Sequence, residues 1–298
     1  MMRTEQEMFS LILTYAEKDE NIRAVVLNGS RANPTIKKDI FQDYDIVYYV
    51  QNMMPLIRNQ ELMDYFGESM ILQLPDDMGI NKYSEGDRYA YLMQFNDGNR
   101  IDLSISPLDQ LERSISEDSL TVVLLDKDGR IENQADPSDL SYRPQKPTEK
   151  MFADCCNEFW WLNPYIAKGL WRKELIYSKY VLDSLLRNEL MKMLDWYFGT
   201  KTGFNRSMGK QGKFLHEVLH PTDWQRLEAT YQDADFDHIW QSLFIMGDLF
   251  RKIAKGVAYY FNFPYPEEDD QKVTSFIHLV SELPEDAESF DVSSAESE

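Results

Sequence analysis

Cysteine is almost missing from this chain: two in 298 residues, Cys155 and Cys156, side by side in a stretch that reads as helix. Neighbouring helical positions point about 100° apart, so these two form no disulfide staple. So little cysteine suits the reducing cytoplasm. Positive charge is scarce as well. Lys and Arg number 31 against 51 Asp and Glu, a net charge of −20, whereas a duplex nucleic-acid partner needs a basic footprint. Long apolar runs are also lacking. No stretch approaches the roughly 20 residues of a membrane span, and Met1-Met2-Arg3-Thr4-Glu5 does not lead into a signal-peptide core. Nucleic-acid and membrane partners are excluded on these grounds, and no internal repeat is found.

What is present points to a folded protein. The chain is 43% hydrophobic and 13% aromatic, with length for one large core or two modest ones. Its acidic field would concentrate a small cationic substrate. The charge is uneven, however. Glu282 to Glu298 carries seven acids and no Lys or Arg, and segment 285–298 is expected to be disordered. From Lys168 to Lys213 the sign reverses, ten basic residues against four acidic.

Taken in order, Thr4 to Asp19 has helical apolar spacing, with a capping box between Thr4 and Glu7. Ile22 to Asn28 and Tyr44 to Val50 read as strands, Met54 to Phe66 as a helix, and Met70 to Leu74 as a short strand. Tyr89 to Phe95 and Arg100 to Ile105 flank Asn96-Asp97-Gly98-Asn99, a strong hairpin signal, and Leu120 to Leu125 is one more strand. Ser141 to Pro147, with two prolines, reads as a linker. Helices follow over Thr148 to Ala167, Lys173 to Phe198, Lys213 to Leu219, Thr222 to Gln232, Phe236 to Phe263 and Gln271 to Leu283. The expected class is α+β: a mixed-sheet domain with flanking helices over 1–143, an all-α bundle over 144–284, and the acidic tail.

Chemistry concentrates at Leu27-Asn28-Gly29-Ser30-Arg31 and at Asp43-Tyr44-Asp45. Residues i and i+2 of a strand share a face, so Asp43 and Asp45 project side by side. Two adjacent carboxylates call for a cation, and a hard ion such as Mg²⁺ takes oxygen ligands together with substrate phosphates. Gly29 permits close backbone approach, Ser30 offers a hydroxyl and an N–H to phosphate, and Arg31 is a further candidate for phosphate. Asp102 sits on the polar face of the later hairpin arm, whose Ile101, Leu103 and Ile105 point the other way.

Gly-Ser, a spacer and Asp-x-Asp on a strand resemble the signature of the polymerase-β-like nucleotidyltransferases. The likeness is closer still to the aminoglycoside 6-adenylyltransferases, which modify streptomycin. It is carried by Met2 to Met8, Val26 to Asn33, Phe41 to Val47, Gly98 to Leu103, Glu158-Phe159-Trp160-Trp161 and Ser207 to Lys213. The resemblance implies transfer of AMP from ATP to a hydroxyl of a cationic aminoglycoside, with Mg²⁺ held by Asp43, Asp45 and Asp102 and release of pyrophosphate. A two-ion clamp stabilises the attacking and leaving oxygens of such a displacement. Asp102 would complete an ion's shell or accept the hydroxyl proton.

The resemblance also implies a helical domain that closes over the nucleotide and supplies lysine, for which Lys173, Lys179, Lys210 and Lys213 are candidates. Ser207 to Lys213, with two glycines and two lysines before a helix start, has the form of a phosphate loop. Trp160 and Trp161 with the acidic pair Asp154 and Glu158 suit a polycationic sugar. A rival reading lies in His216-Glu217-Val218-Leu219-His220, which matches the zinc-hydrolase pattern H-E-x-x-H, although Pro221 ends the helix where that motif needs support.

Overall fold

The computed structural model describes residues 1–79 and 88–289. By its internal contacts the chain divides into two compact units, Met1–Ser141 and Tyr142–Glu298.

The first unit opens with α1 (Glu5–Lys18), whose Thr4 and Glu7 form the reciprocal capping box. A six-stranded sheet follows, built from β1 (Ile22–Asn28), β2 (Tyr44–Val50), β3 (Ser69–Gln73), β4 (Tyr89–Phe95), β5 (Arg100–Pro107) and β6 (Thr121–Asp126). Its order is β3-β4-β5-β2-β1-β6. Only β2 and β5 run parallel; the other pairings are antiparallel, so the sheet is mixed. Strand alternation sorts the side chains. Tyr44, Ile46 and Tyr48 of β2 and Ile101, Leu103 and Ile105 of β5 are buried with Met8, Ile12 and Ala16 of α1 in one core. Ala24, Val26 and Tyr49 face the other way, against Leu111. That residue opens α4 (Leu111–Glu117), a helix with no sequence-based expectation.

Between β1 and β2 lies a single turn of helix, α2 (Gly29–Ala32). The helix expected over Met54 to Phe66 is broken. A 3-10 turn, Met54–Leu56, is followed by Arg58 at φ +54 and then by α3 (Gln60–Tyr65). Asn59 causes the break, because its side chain accepts from the Leu62 N–H and so starts a new helix.

The second unit is helical: α5 (Glu149–Trp171), α6 (Leu175–Tyr180), α7 (Arg187–Thr202), α8 (Pro221–Glu228), α9 (Phe236–Phe261) and α10 (Glu267–Glu282). α5 runs through Pro164 and stops where Lys173 turns left-handed, at φ +61. A π-helical turn, Val181–Leu186, joins α6 to α7, and Gly203 at φ +63 ends α7. Two buried acids tie the bundle. Arg251 of α9 donates two 2.6 Å bonds to Asp270 of α10, and Lys252 reaches Asp223 of α8 at 2.6 Å. Cys155 and Cys156 are buried free thiols, and burial pushes Cys156 up to about 12. Among the described residues no helix is long and apolar enough to cross a membrane. Of segment 285–298, expected to be disordered, residues 290–298 lie outside the described residues; in the remainder the Ala287 N–H donates to the Pro284 carbonyl.

Candidate active site

The pairing register of the sheet assembles the site. Asp45 lies opposite Asn28 in the β1–β2 pair and opposite Asp102 in the parallel β2–β5 pair. Paired residues put their side chains on the same face, so Asp45 and Asp102 stand beside each other, with Asp43 one step before β2. All three acids keep some exposure, with the side chains of Asp43 and Asp102 at 37% and 22%.

Gly29 is fixed by this arrangement. It adopts φ +72, and a Cβ there would lie 2.2 Å from Asp45 Oδ2. A side chain at position 29 and the Asp45 carboxylate cannot occupy that space together.

Arg31, the phosphate candidate, is turned toward the protein's own backbone. Its side chain is only 7% exposed and pairs with Glu5 at 3.5 Å. It donates to the carbonyls of Gln42 (2.7 Å) and Asp43 (3.3 Å), and its guanidinium lies 3.9 Å from the Tyr44 ring centroid. With its donors committed to the backbone that leads into Asp43, Arg31 shapes the loop and has little left for a ligand. Gln42 helps from the other side, donating to the Ser30 carbonyl at 3.3 Å.

Arg100 is the residue that sequence reasoning missed. It sits two positions before Asp102 on β5 and grips that carboxylate with a two-pronged fork, Nε to Oδ1 at 2.7 Å and Nη2 to Oδ2 at 2.8 Å. Its Nε also lies 3.7 Å from Asp43 Oδ2. The hydrogen bond to Asp102, followed by the charges of Asp102, Asp43 and Asp45, holds the guanidinium above its ordinary pKa. The i, i+2 spacing of Arg100 and Asp102 was a signal that could have been read.

Three carboxylates are donors of the kind Mg²⁺ takes, and Gly29 leaves Asp45 the room to serve. Their side chains do not converge, however, while Asp102 is turned onto Arg100. Among the described residues no three His, Cys, Asp or Glu side chains are grouped to hold a metal ion.

The chain is similar to known proteins over most of its length. Aminoglycoside 6-adenylyltransferases from Campylobacter jejuni and Bacillus subtilis are 39% and 38% identical to this chain. The alignments cover 93% and 90% of it, and 95% of each relative. A crystal structure of an aminoglycoside 6-adenyltransferase from Bacillus subtilis is 33% identical over 95% of this chain and 100% of its own, with a TM-score of 0.47. A family model described as streptomycin adenylyltransferase matches residues 2–280. The chain belongs to that family. It is therefore an enzyme of the nucleotidyltransferase class.

Within this adenylyltransferase the candidates of the helical unit separate into committed and exposed residues. Trp160 is 2% exposed and packs edge-on to Phe159 and Phe250, so it belongs to the core and offers no face to a substrate. Trp161 is 61% exposed, with Tyr165 edge-on at 6.1 Å. Asp154, Glu158, Trp161 and Tyr165 form one exposed stripe along α5, on which Asp154 pairs with Lys150. Lys179 is occupied, bonded to the Gln232 carbonyl at 3.1 Å and paired with Asp183 at 2.8 Å. Lys173 pairs with Glu285 at 3.3 Å. Lys210 and Lys213 are exposed.

The Ser207 to Lys213 segment does not lead into a helix. Lys210–Gly212 and Leu215–Glu217 are short 3-10 turns, and Gly209, Gln211 and Gly212 all have positive φ. A Cβ on Gly209 would lie 2.6 Å from Phe214, and one on Gly212 2.8 Å from Leu215 and Met191. Tight turning and packing account for both glycines. The same geometry dismantles the zinc motif. His220 is the N-cap of α8 and lies outside the Leu215–Glu217 turn that carries His216. Glu217 pairs with Arg206, and His216 Nδ1 lies 3.0 Å from the Lys213 carbonyl. Two histidines on one helical face, which the motif requires, are not present.

Proposed function

We propose that this enzyme transfers AMP from ATP to a hydroxyl of an aminoglycoside, with the 6-hydroxyl of streptomycin as the first candidate, and so confers resistance. The observation that carries this reading is the register of Asp45 with Asp102 beside Asp43 and the glycine that Asp45 requires. In the reaction the acceptor oxygen bonds to the α-phosphorus as the α–β phosphoanhydride breaks, and pyrophosphate leaves with the electron pair. Asp43 and Asp45 would hold Mg²⁺, which when bound supplies positive charge to the triphosphate. Asp102 either joins that shell or takes the acceptor's hydroxyl proton, as a carboxylate within hydrogen-bond reach can do. Gly29 and Ser30 offer backbone and hydroxyl donors to phosphate oxygens at the mouth of β1.

For the acceptor, the α5 stripe has the matching chemistry. Carboxylates of Asp154 and Glu158 suit ammonium and guanidinium groups, and the open Trp161 face suits a cation. Lys210 and Lys213 are the exposed candidates for triphosphate in the helical unit. Purified protein given ATP, Mg²⁺ and streptomycin should release pyrophosphate, and Asp43→Asn or Asp45→Asn should abolish release while circular dichroism stays native. No release with streptomycin or any other aminoglycoside would end the substrate claim, and near-normal turnover in either variant would end the site claim.

A further inference from the structure

Acids that the helical unit takes out of solvent, wholly or in part, are held by a cation. Asp183 pairs with Arg187, Glu189 with Lys192, Asp223 with Lys252 and Asp270 with Arg251. Asp195 of α7 departs from this pattern. It is partly buried, yet among the described residues its carboxylate has neither an ion pair nor a hydrogen bond. Lys192, three residues earlier on the same side of the helix, could have served, but it donates to both oxygens of Glu189 at 2.8 and 2.7 Å. Burial is therefore uncompensated and pushes the Asp195 carboxyl up to about 6. A carboxylate that costs stability and has no partner within the fold gains one when a cation binds.

Its surroundings fit such a cation. Met191, Asp195 and Gly199 follow one another at four-residue steps along one face of α7. The segment that carries Lys210 touches this face on both sides of Asp195: Phe204 covers Gly199, and Gly212 is seated so closely that a Cβ there would strike Met191. From the other direction comes α5. Cys155 Sγ meets the Glu189 carbonyl at 3.5 Å, which sets α5 beside α7 at this level. Burial alone would lower the Lys192 pKa, yet its bonds to Glu189 and then the charge of Glu158 hold it above the ordinary value. Glu158 of the exposed α5 stripe is thus a neighbour of Lys192, and Asp195 is the next acid along α7.

We infer that Asp195 is an acceptor-binding residue, whose carboxylate takes an ammonium or guanidinium group of the aminoglycoside while Asp154 and Glu158 hold its other cations. A polycation calls for carboxylates set apart from one another, and two adjacent helices supply them. The acceptor surface then runs from α5 across to α7, beside the segment whose Lys210 and Lys213 are candidates for the triphosphate. The inference rests on the aminoglycoside reading of the site.

The test follows pyrophosphate release by the full chain with ATP, Mg²⁺ and streptomycin. Asp195→Asn keeps the shape and removes the charge. The KM for streptomycin should rise by about tenfold, the loss expected of one charge-assisted contact, while the KM for ATP stays at the wild-type value. Asp195→Glu keeps the charge on a longer arm and should fall between the two. Without drug, Asp195→Asn should melt no lower than wild type at pH 7, and it should gain less from added streptomycin. A streptomycin KM that is unchanged, or that rises together with the KM for ATP, would overturn the inference and leave the aminoglycoside reading standing. So would a lower Tm without drug, which would make Asp195 a support of the fold. Wild-type protein that releases no pyrophosphate with streptomycin or any other aminoglycoside would remove that reading and this inference with it.

Discussion

Replacing Gly29 by alanine tests the site at its tightest point. The new Cβ would stand 2.2 Å from Asp45 Oδ2, where ordinary contact begins at 3.4 Å, so the carboxylate must recede by more than an ångström. Two costs add. Alanine at φ +72 loses about 1 kcal/mol against glycine in the left-handed region. Forcing Asp45 off its rotamer costs a further ~1 kcal/mol. A fall of about 2 kcal/mol corresponds to a drop in Tm of roughly 4–8 °C. Activity should suffer more, because a displacement of this size in a reacting group costs on the order of 100-fold. A double-mutant cycle separates the two terms. In an Asp45→Ala background the collision vanishes and only the backbone term remains, so Gly29→Ala should then cost about half as much. Thermal melts of the four proteins give the answer. An equal loss in both backgrounds would refute the steric argument, and full activity in Gly29→Ala would refute the placement of Asp45 in the site.

Further outcomes follow from the same geometry. Arg31→Ala should lower kcat and destabilise by about 2–3 kcal/mol, the cost of losing a buried, hydrogen-bonded cation; a rise in the KM for ATP alone, with stability intact, would return Arg31 to the phosphates. Trp160→Ala should cost about 3–5 kcal/mol as a core deletion, whereas Trp161→Ala should leave the Tm nearly unchanged and raise the KM for the aminoglycoside; equal melting temperatures would refute the division between the two. Burial raises Asp195 from the ordinary 3.8 to about 6, so the folded chain binds this proton more tightly than the unfolded chain and stability falls as pH rises from about 4 to about 6. Discounted for its partial exposure, the loss above that window is about 1–2 kcal/mol. Asp195→Asn should therefore match wild type near pH 4 and melt higher at pH 7, as calorimetry across pH would show.

Local chemistry was readable from the chain alone because it depends on neighbours in sequence. β2 runs from Tyr44 to Val50 and β4 from Tyr89 to Phe95, as alternation and the Asp97-Gly98 turn indicate. The Thr4 and Glu7 capping box is formed, and the mixed sheet followed by a helical region is the class expected. The motifs likewise carried the family. What the sequence could not decide depends on partners distant in the chain. Adjacent tryptophans 160 and 161 have the same local propensity, and only the packing of α5 buries one and exposes the other. His216 and His220 have zinc-site spacing, but a turn that Pro221 starts afresh puts them on different elements. Arg31 looks like a phosphate ligand until the backbone of Gln42 and Asp43 comes round to claim its donors.

The composition of the site was thus set by the sequence: three carboxylates, a glycine and the strands that carry them. Tertiary structure alone decided their company. Parallel pairing of β2 with β5, a contact between segments more than fifty residues apart, sets Asp102 beside Asp45. Strand and loop together bring Arg100 within reach of Asp102 and Asp43. Side-chain charge is written in one residue at a time, whereas mutual repulsion and its relief exist only once the chain has brought those charges together.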